Sequence, residues 1–251
     1  KADFVIEEVY FAGSTTPEGK QYLADQYIKI YNNSDSVLYA DGLVILESAF
    51  KTSQKYDYTP DIMSRAMAVQ CVYAIPGNGK DYPVQPGKSL LICDKAIDHR
   101  EANSNSFDLS NADFEWYDDS DKNPDIDNPQ VTNLDKIYSY TKTTWSLHNQ
   151  GLCAYAIARL QVDKNTFLTD YTYKATYINV IGESQDKNAY QVPNAWIIDA
   201  VNISNKAQYA WNVVDASLDM GFTYCGEVAL DKNRYNKSVR RKVLSTTPDG
   251  R

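Results

Sequence analysis

The chain has 251 residues, of which 43% are hydrophobic and 23% charged, a composition typical of a globular domain with a buried core rather than a disordered chain. Its formal net charge of -8 argues against nucleic-acid binding, because such proteins need a basic surface that displaces counterions from phosphates. The longest apolar runs, 89–93 and 151–158, are far shorter than the roughly 20 residues that cross a bilayer.

Short strands separated by turn residues are predicted in the first hundred residues. Residues 3–11 are rich in Val, Ile, Phe and Tyr, and residues 26–31 alternate apolar and polar side chains with the period of two of a strand. Turn signals containing Gly, Pro, Asn or Asp delimit further strands, predicted at 37–39, 43–46, 69–75 and 89–93. One segment, 61–69, has a helical pattern.

From residue 94 to residue 193 the pattern loosens into polar stretches, in which 151–160 and 169–180 are the clearest apolar segments. Strands at 196–201 and 238–243 are predicted near the end of the chain. The 20 tyrosines and the recurrent turn clusters favour short strands over long helices. The sequence therefore predicts a mostly β fold, in which two antiparallel sheets pack face to face as a sandwich.

We predict a single elaborated sandwich domain over residues 1–251. Two long insertions, about 95–145 and 161–192, interrupt it. The remaining core is expected in three stretches, about 3–93, 146–160 and 193–245. Because the chain begins at Lys1 rather than Met and ends in the turn signal Asp249-Gly250-Arg251, with no second strand after it, we expect a fragment of a longer protein.

The four cysteines do not form a recognisable metal or redox motif. Cys71, Cys93, Cys153 and Cys225 are scattered without a C-x-x-C pair, which argues against a zinc site or a thioredoxin-type site. They lie within apolar runs such as Leu90-Leu-Ile-Cys93. We therefore predict reduced, buried thiols, while two disulfides with three connectivities are the alternative.

Several motifs occur in an order that resembles lamin-tail domains, which are immunoglobulin-like sandwiches. These are Val5-Ile-Glu-Glu-Val9, Gln26-Tyr-Ile-Lys-Ile-Tyr-Asn-Asn33, Asp41-Gly-Leu43, Pro83-Val-Gln-Pro-Gly-Lys-Ser-Leu-Leu-Ile92, Ser146-Leu-His-Asn-Gln-Gly151, Ile197-Ile-Asp-Ala-Val201 and Ser238-Val-Arg-Arg241. The chain departs from the family at Gln26 and Lys29, where acidic residues are usual, and at Leu43, where Trp is usual. The resemblance implies an immunoglobulin-like sandwich of lamin-tail type with long loop insertions.

The enlarged form of the domain, with Asp25-Gln-Tyr27 and Phe114-Glu-Trp-Tyr-Asp118, is similar to an uncharacterised family of Bacteroidetes surface lipoproteins. That resemblance implies export to the cell surface or outer membrane. It also implies that the protein meets the membrane only through a lipid anchor outside this fragment. It supplies no catalytic residues to transfer to this chain.

The acidic segment 118–128 is the best candidate for a metal site, because Ca²⁺ prefers oxygen ligands. Positions one, three, five, seven and nine of an EF-hand-like loop are occupied by Asp119, Asp121, Asn123, Asp125 and Asp127. Pro124 stands where the loop needs Gly, and Gln130 where a bidentate carboxylate is expected. The segment is therefore interpreted either as a calcium site that stabilises a structural domain or as a solvated acidic loop.

Few residues offer catalytic chemistry. The two histidines are His99, in a polar stretch where a surface position is expected, and His148, in a predicted turn. No nucleophile-elbow, metalloprotease or Walker motif is present in the sequence. A glycoside-active enzyme needs only two facing carboxylates. The candidates for such a pair are Glu7, Glu8, Glu115 and Asp118.

Aromatic side chains provide a third kind of candidate site, because Tyr and Trp can stack on sugar rings or anchor a protein partner. The aromatic residues considered are Trp116, Tyr117, Tyr138, Tyr140, Trp145, Trp196 and Trp211. Most are expected in the core, but Trp116 and Tyr117 adjoin the acidic loop, and loops often carry function.

The sequence thus predicts a non-enzymatic cell-surface binding, adhesion or scaffold module for a glycan or a protein. A calcium-stabilised structural domain, a glycoside-active enzyme and a plain spacer remain as alternatives.

Overall fold

The sheets of the protein contain strands in which buried and more exposed residues alternate. In the strand Tyr27–Asn32, Ile28, Ile30 and Asn32 are buried and the residues between them are partly exposed, as expected for a strand with one face on the core. The structure is a computed structural model that describes residues 2–248. The turn predicted at 249–251 lies outside the described residues.

Strands dominate the described part of the chain. They are β1 (Phe4–Tyr10), β2 (Ser14–Thr15), β3 (Gln21–Tyr22), β4 (Tyr27–Asn32), β5 (Leu38–Tyr39), β6 (Leu43–Ser48), β7 (Ala66–Ala74), β8 (Pro83–Val84), β9 (Ser89–Cys93), β10 (Phe114–Glu115), β11 (Thr132–Asn133), β12 (Asp135–Ser139), β13 (Ala154–Arg159), β14 (Thr172–Ile178), β15 (Ser184–Pro193), β16 (Ile197–Asn202) and β17 (Val239–Arg240). The helical elements are the α-helix α1 (Lys164–Asp170) and the 3₁₀ turns His99–Glu101, Asn194–Trp196 and Lys232–Arg234.

Two large sheets form the body of the protein. The first has the strand order β11-β10-β9-β4-β1-β17, and the second has the order β14-β15-β7-β6-β13-β16, with β12 also paired to β7. The smaller pairs β2-β3 and β5-β8 complete the β-structure of residues 2–248. The predicted mostly β, antiparallel sandwich is confirmed. Its exception is the parallel pairing of β10 with both β9 and β11, which the long connection after β9 permits.

The main core lies between the two sheets. Ile28, Ile30 and Ile92 of the first sheet belong to the same buried cluster as Ile45 and Tyr155 of the second sheet. The second sheet is also covered on its other face. All six residues of β6 are buried, which explains why its first four residues, 43–46, are all apolar instead of alternating with polar ones.

The outer face of the second sheet has its own buried cluster. Val44 and Leu46 of β6 lie there with Phe167 of α1 and Val213 of a late loop. The segment 161–192 folds into α1 and the β14–β15 hairpin, which extends the second sheet. Asp163 caps α1 by accepting a hydrogen bond of 2.7 Å from the backbone N–H of Thr166.

Two sequence predictions are wrong in detail. The helix predicted at 61–69 is absent, because Ala66 and Met67 begin β7 and pair with β15. The surface position predicted for His99 is also wrong, since its side chain is fully buried. Its Nε2 atom donates to the carbonyl of Lys95 at 2.8 Å, and Nδ1 accepts from the Tyr22 hydroxyl at 2.6 Å.

Three of the four cysteines are buried free thiols, as predicted. Cys71, Cys93 and Cys153 are buried, Cys225 is half-buried, and all four are free thiols. Cys71 lies on β7, and Cys153 immediately precedes β13. These two strands lie on opposite sides of β6. Strands two apart in a sheet are separated by roughly 9–10 Å, which exceeds the reach of a disulfide.

Within residues 2–248, no helix has the length and apolar character of a membrane span.

Candidate ligand-binding site

A hollow of about 480 Å³ opens on the outer face of the second sheet. Its floor includes Ala66 and Ala68, which alternate along β7 and therefore point to the same face. These small side chains leave space between the loops that rise around them. We call the hollow the aromatic cleft, and its walls include Phe50, Lys55, Tyr56, Asp57, Tyr58, Asp61, Tyr173, Trp211 and Asn212.

The loop between β6 and β7 supplies most of one wall, and hydrogen bonds hold it in place. Thr52 donates its backbone N–H to the carbonyl of Leu152 at 2.8 Å and its hydroxyl to the carbonyl of Ile203 at 2.6 Å. Further along the loop, Thr59 and Thr176 of β14 exchange two backbone hydrogen bonds of 2.8 and 2.9 Å. The loop is therefore attached both to the sandwich and to the edge of the second sheet.

Two rings of the cleft are fixed by their own polar atoms. The indole N–H of Trp211 is shared between the carbonyls of Lys51 and Gln54, each at 2.9 Å. The hydroxyl of Tyr173 donates to the carbonyl of Pro60 at 2.6 Å. Because these hydrogen bonds hold the two rings in place, a ligand would not have to immobilise them.

The rings also pack against one another. The centroids of Phe50 and Tyr58 lie 3.7 Å apart with 15° between the ring planes. Tyr58 in turn stacks on Trp211 at 5.9 Å and 21°. The ammonium group of Lys55 lies 5.9 Å from the centre of the Trp211 ring, at the outer limit of a cation–π contact.

Polar groups line the rim of this apolar cavity. Asp57, Asp61 and Lys55 are exposed, and Asn212 is half-buried. The phenol of Tyr58 is protonated at neutral pH and can donate a hydrogen bond, and burial raises its pKa further above the ordinary value. The site thus combines aromatic surface with carboxylate, amide, ammonium and hydroxyl groups, as small-molecule sites usually do.

Trp116 and Tyr117, the residues singled out in the sequence, lie outside the aromatic cleft. Trp116 is fully buried between the sheets, where its indole N–H donates to the carbonyl of Trp145 at 3.1 Å. Tyr117 is half-buried at the surface. Ligand contact by this pair stays a prediction, and only Tyr117 has the exposed area that such contact requires.

The acidic loop presents most of its proposed ligands to solvent. Asp119, Asp121, Asn123 and Asp127 are exposed, whereas the side chain of Asp125 is fully buried. Asp125 forms an ion pair of 3.0 Å with Lys95, a cation that already neutralises it. Among residues 2–248, no group of three or more His, Cys, Asp or Glu side chains is arranged to hold a metal ion. The calcium site stays a prediction.

Thermal unfolding can test the calcium prediction. Because Lys95 already neutralises Asp125, the one buried carboxylate among the five proposed calcium ligands, we expect millimolar calcium to move the Tm by less than about 1 °C relative to excess EDTA. Magnesium at the same concentration serves as the control for non-specific ion effects. A rise of several degrees with calcium alone would identify residues 119–127 as an ion site.

The four carboxylates considered for glycoside chemistry do not line the aromatic cleft. Glu115 is fully buried and accepts backbone N–H bonds from Ala96 and Asn128, each at 2.8 Å. Asp118 is also buried and pairs with Lys136 at 2.7 Å. The remaining two accept hydrogen bonds from neighbouring side chains, with Ser89 as the donor to Glu7 and Tyr27, Ser238 and Arg240 as the donors to Glu8.

Of the residues that line the aromatic cleft, the sequence predictions included one aromatic candidate and missed the other rings. Trp211 is among the aromatic residues considered above, but Tyr56, Tyr58 and Tyr173 are not. The available signal was the Tyr-x-Tyr spacing at 56 and 58 within a Gly-free loop. It could not be interpreted without knowing that β14 and the segment around Trp211 approach that loop.

The chain is similar to known proteins of one family. Residues 85–251 match the model of a family described as "Protein of unknown function (DUF4876)". The chain is also similar to a crystal structure described as a DUF4876 family protein from Bacteroides thetaiotaomicron, with a TM-score of 0.80 and 24% sequence identity. The match covers 99% of this chain and 64% of that chain, so this chain spans less than two thirds of its structural relative. A search of the curated proteins found no match.

Proposed function

The chain belongs to the DUF4876 family of proteins of unknown function, and we propose that this member is a non-enzymatic binding module for a glycan. The observation that carries the proposal is the aromatic cleft. Its volume of about 480 Å³ falls within the range of about 300 to 1,000 Å³ found for small-ligand sites. Two of its rings, those of Trp211 and Tyr173, are held by hydrogen bonds to backbone carbonyls.

The chemistry of the cleft suits a sugar better than a purely apolar ligand. The C–H groups on one side of a sugar ring pack against aromatic faces such as those of Tyr58 and Trp211. Hydroxyl groups at the edge of the same sugar can donate to the carboxylates of Asp57 and Asp61, and they can accept from Lys55. A concave site also favours a small ligand over the flatter surface of a typical protein partner.

We further propose that the fold is of the immunoglobulin-like lamin-tail type and that the protein is a surface lipoprotein of Bacteroidetes. The order of sequence motifs supports the fold type. The resemblance to surface lipoproteins and the Bacteroides source of the structural relative support the location. A protein attached to the cell surface by a lipid outside these residues would meet extracellular glycans directly. A protein ligand at the same surface is the second outcome that a binding screen can reveal.

A binding experiment tests the glycan proposal. The purified chain would be titrated with neutral malto-, cello-, manno- and xylo-oligosaccharides in a calorimeter. For the oligosaccharide that binds, we expect Trp211→Ala to weaken binding at least tenfold, equivalent to about 1.4 kcal/mol, because the mutation removes a stacking surface. Tyr56→Ala serves as a second cleft variant, since the Trp211 ring also orders the loop.

Tyr224→Ala is the matched control, because Tyr224 is an exposed tyrosine that does not line the cleft. Its affinity should equal that of the unmodified protein. Melting curves of all variants confirm that the fold is retained. Binding that survives both cleft substitutions, or failure of every glycan to bind, would reject the proposal.

A further inference from the structure

A second hollow adjoins the aromatic cleft. It has a volume of about 400 Å³ and lies between the 55–59 loop and the end of β14. Lys55, Tyr56 and Asp57 line both hollows, so the two spaces share one wall. On the opposite side, the second hollow is closed by Thr176, Tyr177 and Ile178.

A cluster of tyrosine rings lies where the two hollows meet. Tyr58 in the cleft contacts Tyr177 edge to face at a centroid distance of 5.1 Å. Tyr177 then stacks on Tyr56 at 4.7 Å, with 25° between the planes. Tyr56 and Tyr58 also contact each other edge to face at 5.9 Å, so the three tyrosines form one cluster that borders both hollows.

The position of Tyr177 is fixed by the sheet rather than by a free loop. Tyr177 lies on β14, directly opposite Gln185 of β15. The neighbouring Thr176 exchanges backbone hydrogen bonds with Thr59 on the other side. The backbone that carries Tyr177 is therefore paired to β15 along one edge and to the loop along the other, which favours a preformed contact surface.

The charges around the two hollows restrict the ligand. Asp57 and Asp61 provide two carboxylates, and among residues 2–248 Lys55 is the single ammonium group that lines either hollow. The whole chain carries a formal net charge of -8. An anionic sugar would therefore meet repulsion at the site and from the protein as a whole.

We infer that the aromatic cleft and the second hollow form one groove for a neutral oligosaccharide of at least two sugar residues, in which Tyr177 determines the preference for length. This inference rests on the glycan-binding function proposed above. A single sugar would occupy the cleft beside Trp211 and Tyr58. The next residue of the chain would extend past Tyr56 and rest against Tyr177.

The test measures affinity against ligand length. The protein would be titrated with malto-, cello-, manno- and xylo-oligosaccharides of one to six residues. For the series that binds, we expect at least a tenfold increase in affinity from one to three residues. Tyr177→Ala should abolish that increase and leave the affinity for the monosaccharide within twofold. Ile178→Ala, at an exposed position of the same hollow, provides a milder variant should Tyr177→Ala fold poorly.

The outcomes separate the inference from the proposed function. Equal affinity for all lengths, or an equal loss for short and long ligands in Tyr177→Ala, would overturn the inference while leaving glycan binding intact. Absence of binding in all four series would overturn both. Oligogalacturonides, which carry a carboxylate on each sugar, should bind at least tenfold more weakly than the neutral series. Equal binding by them would overturn the stated preference for neutral sugars.

Discussion

Trp116→Ala is expected to lower the free energy of unfolding by about 3–5 kcal/mol, the usual cost of truncating a large buried aromatic side chain. The Trp116 ring is fully buried and lies 5.1 Å from the ring of Trp145, centroid to centroid. Its removal leaves a cavity between the sheets and deprives the Trp145 carbonyl of its indole donor. Urea unfolding followed by circular dichroism measures the change.

Tyr117→Ala is the matched control, because Tyr117 is the next residue of the chain and is only half-buried. A surface substitution of this kind should change the free energy of unfolding by less than about 1 kcal/mol. If Trp116→Ala were as mild as the control, Trp116 would not be the core residue described here. The ligand contact predicted for it from the sequence would then regain support.

The second large effect is a dependence of stability on pH, between about pH 4 and pH 8, that originates at Asp94. This carboxyl group is buried, and its Oδ1 atom has no hydrogen-bond partner among residues 2–248. Burial raises its pKa to about 8, repulsion from Asp125 and Asp118 adds to the rise, and Lys95, at 3.4 Å from Oδ2, opposes it. At neutral pH the folded protein therefore holds a proton on Asp94.

The sign of the effect follows from the raised pKa. An unfolded aspartate loses its proton near pH 3.9, whereas Asp94 in the folded protein loses it near pH 8. Between these values the folded state binds one more proton than the unfolded state does. The contribution of Asp94 to stability is thus complete below about pH 4, declines by about 1.4 kcal/mol per pH unit and is lost above about pH 8.

The neutral variant Asp94→Asn isolates this contribution. Between pH 6 and pH 9, the unmodified protein should lose about 2–3 kcal/mol more stability than Asp94→Asn does. Other titrating groups are shared by the two proteins and cancel in the comparison. Asp108→Asn is the control, because hydrogen bonds lower the pKa of that exposed carboxyl group, which therefore stays ionised across this range. If the free energy of unfolding changed equally with pH in the unmodified protein and in Asp94→Asn, the raised pKa of Asp94 would be contradicted.

Much of the sandwich could be predicted because its strands have a period of two or are continuously apolar. The prediction of 89–93 coincides with β9. The apolar segment 169–180, which is assigned from the sequence to an insertion rather than to the sandwich, contains β14 of the second sheet. The helix predicted at 61–69 failed because pairing of Met67 with Val192 of β15 determines the conformation there, and local pattern does not include such distant partners. The helix α1 was missed because its seven residues are too few for a clear helical period.

The candidate site was less predictable than the fold. Its walls come from three segments, represented by Tyr58, Tyr173 and Trp211, that only the folded second sheet brings together. Trp116 illustrates the opposite problem. It follows the two-residue strand β10 inside a polar insertion, so its sequence surroundings indicate a loop although its side chain completes the core.

The arrangement of the terminal strands has a mechanical consequence. β1 and β17 are antiparallel neighbours, with Glu8 opposite Arg240, so the chain before β1 and the chain after β17 leave the first sheet at the same end. Tension applied to those two segments would separate β17 from β1 one interstrand hydrogen bond at a time, instead of breaking all of these hydrogen bonds together. The ion pair of Arg241 with Asp199 would bear the load first. The aromatic cleft lies on the far side of the other sheet, outside the load path, and would keep its shape until β17 has peeled away.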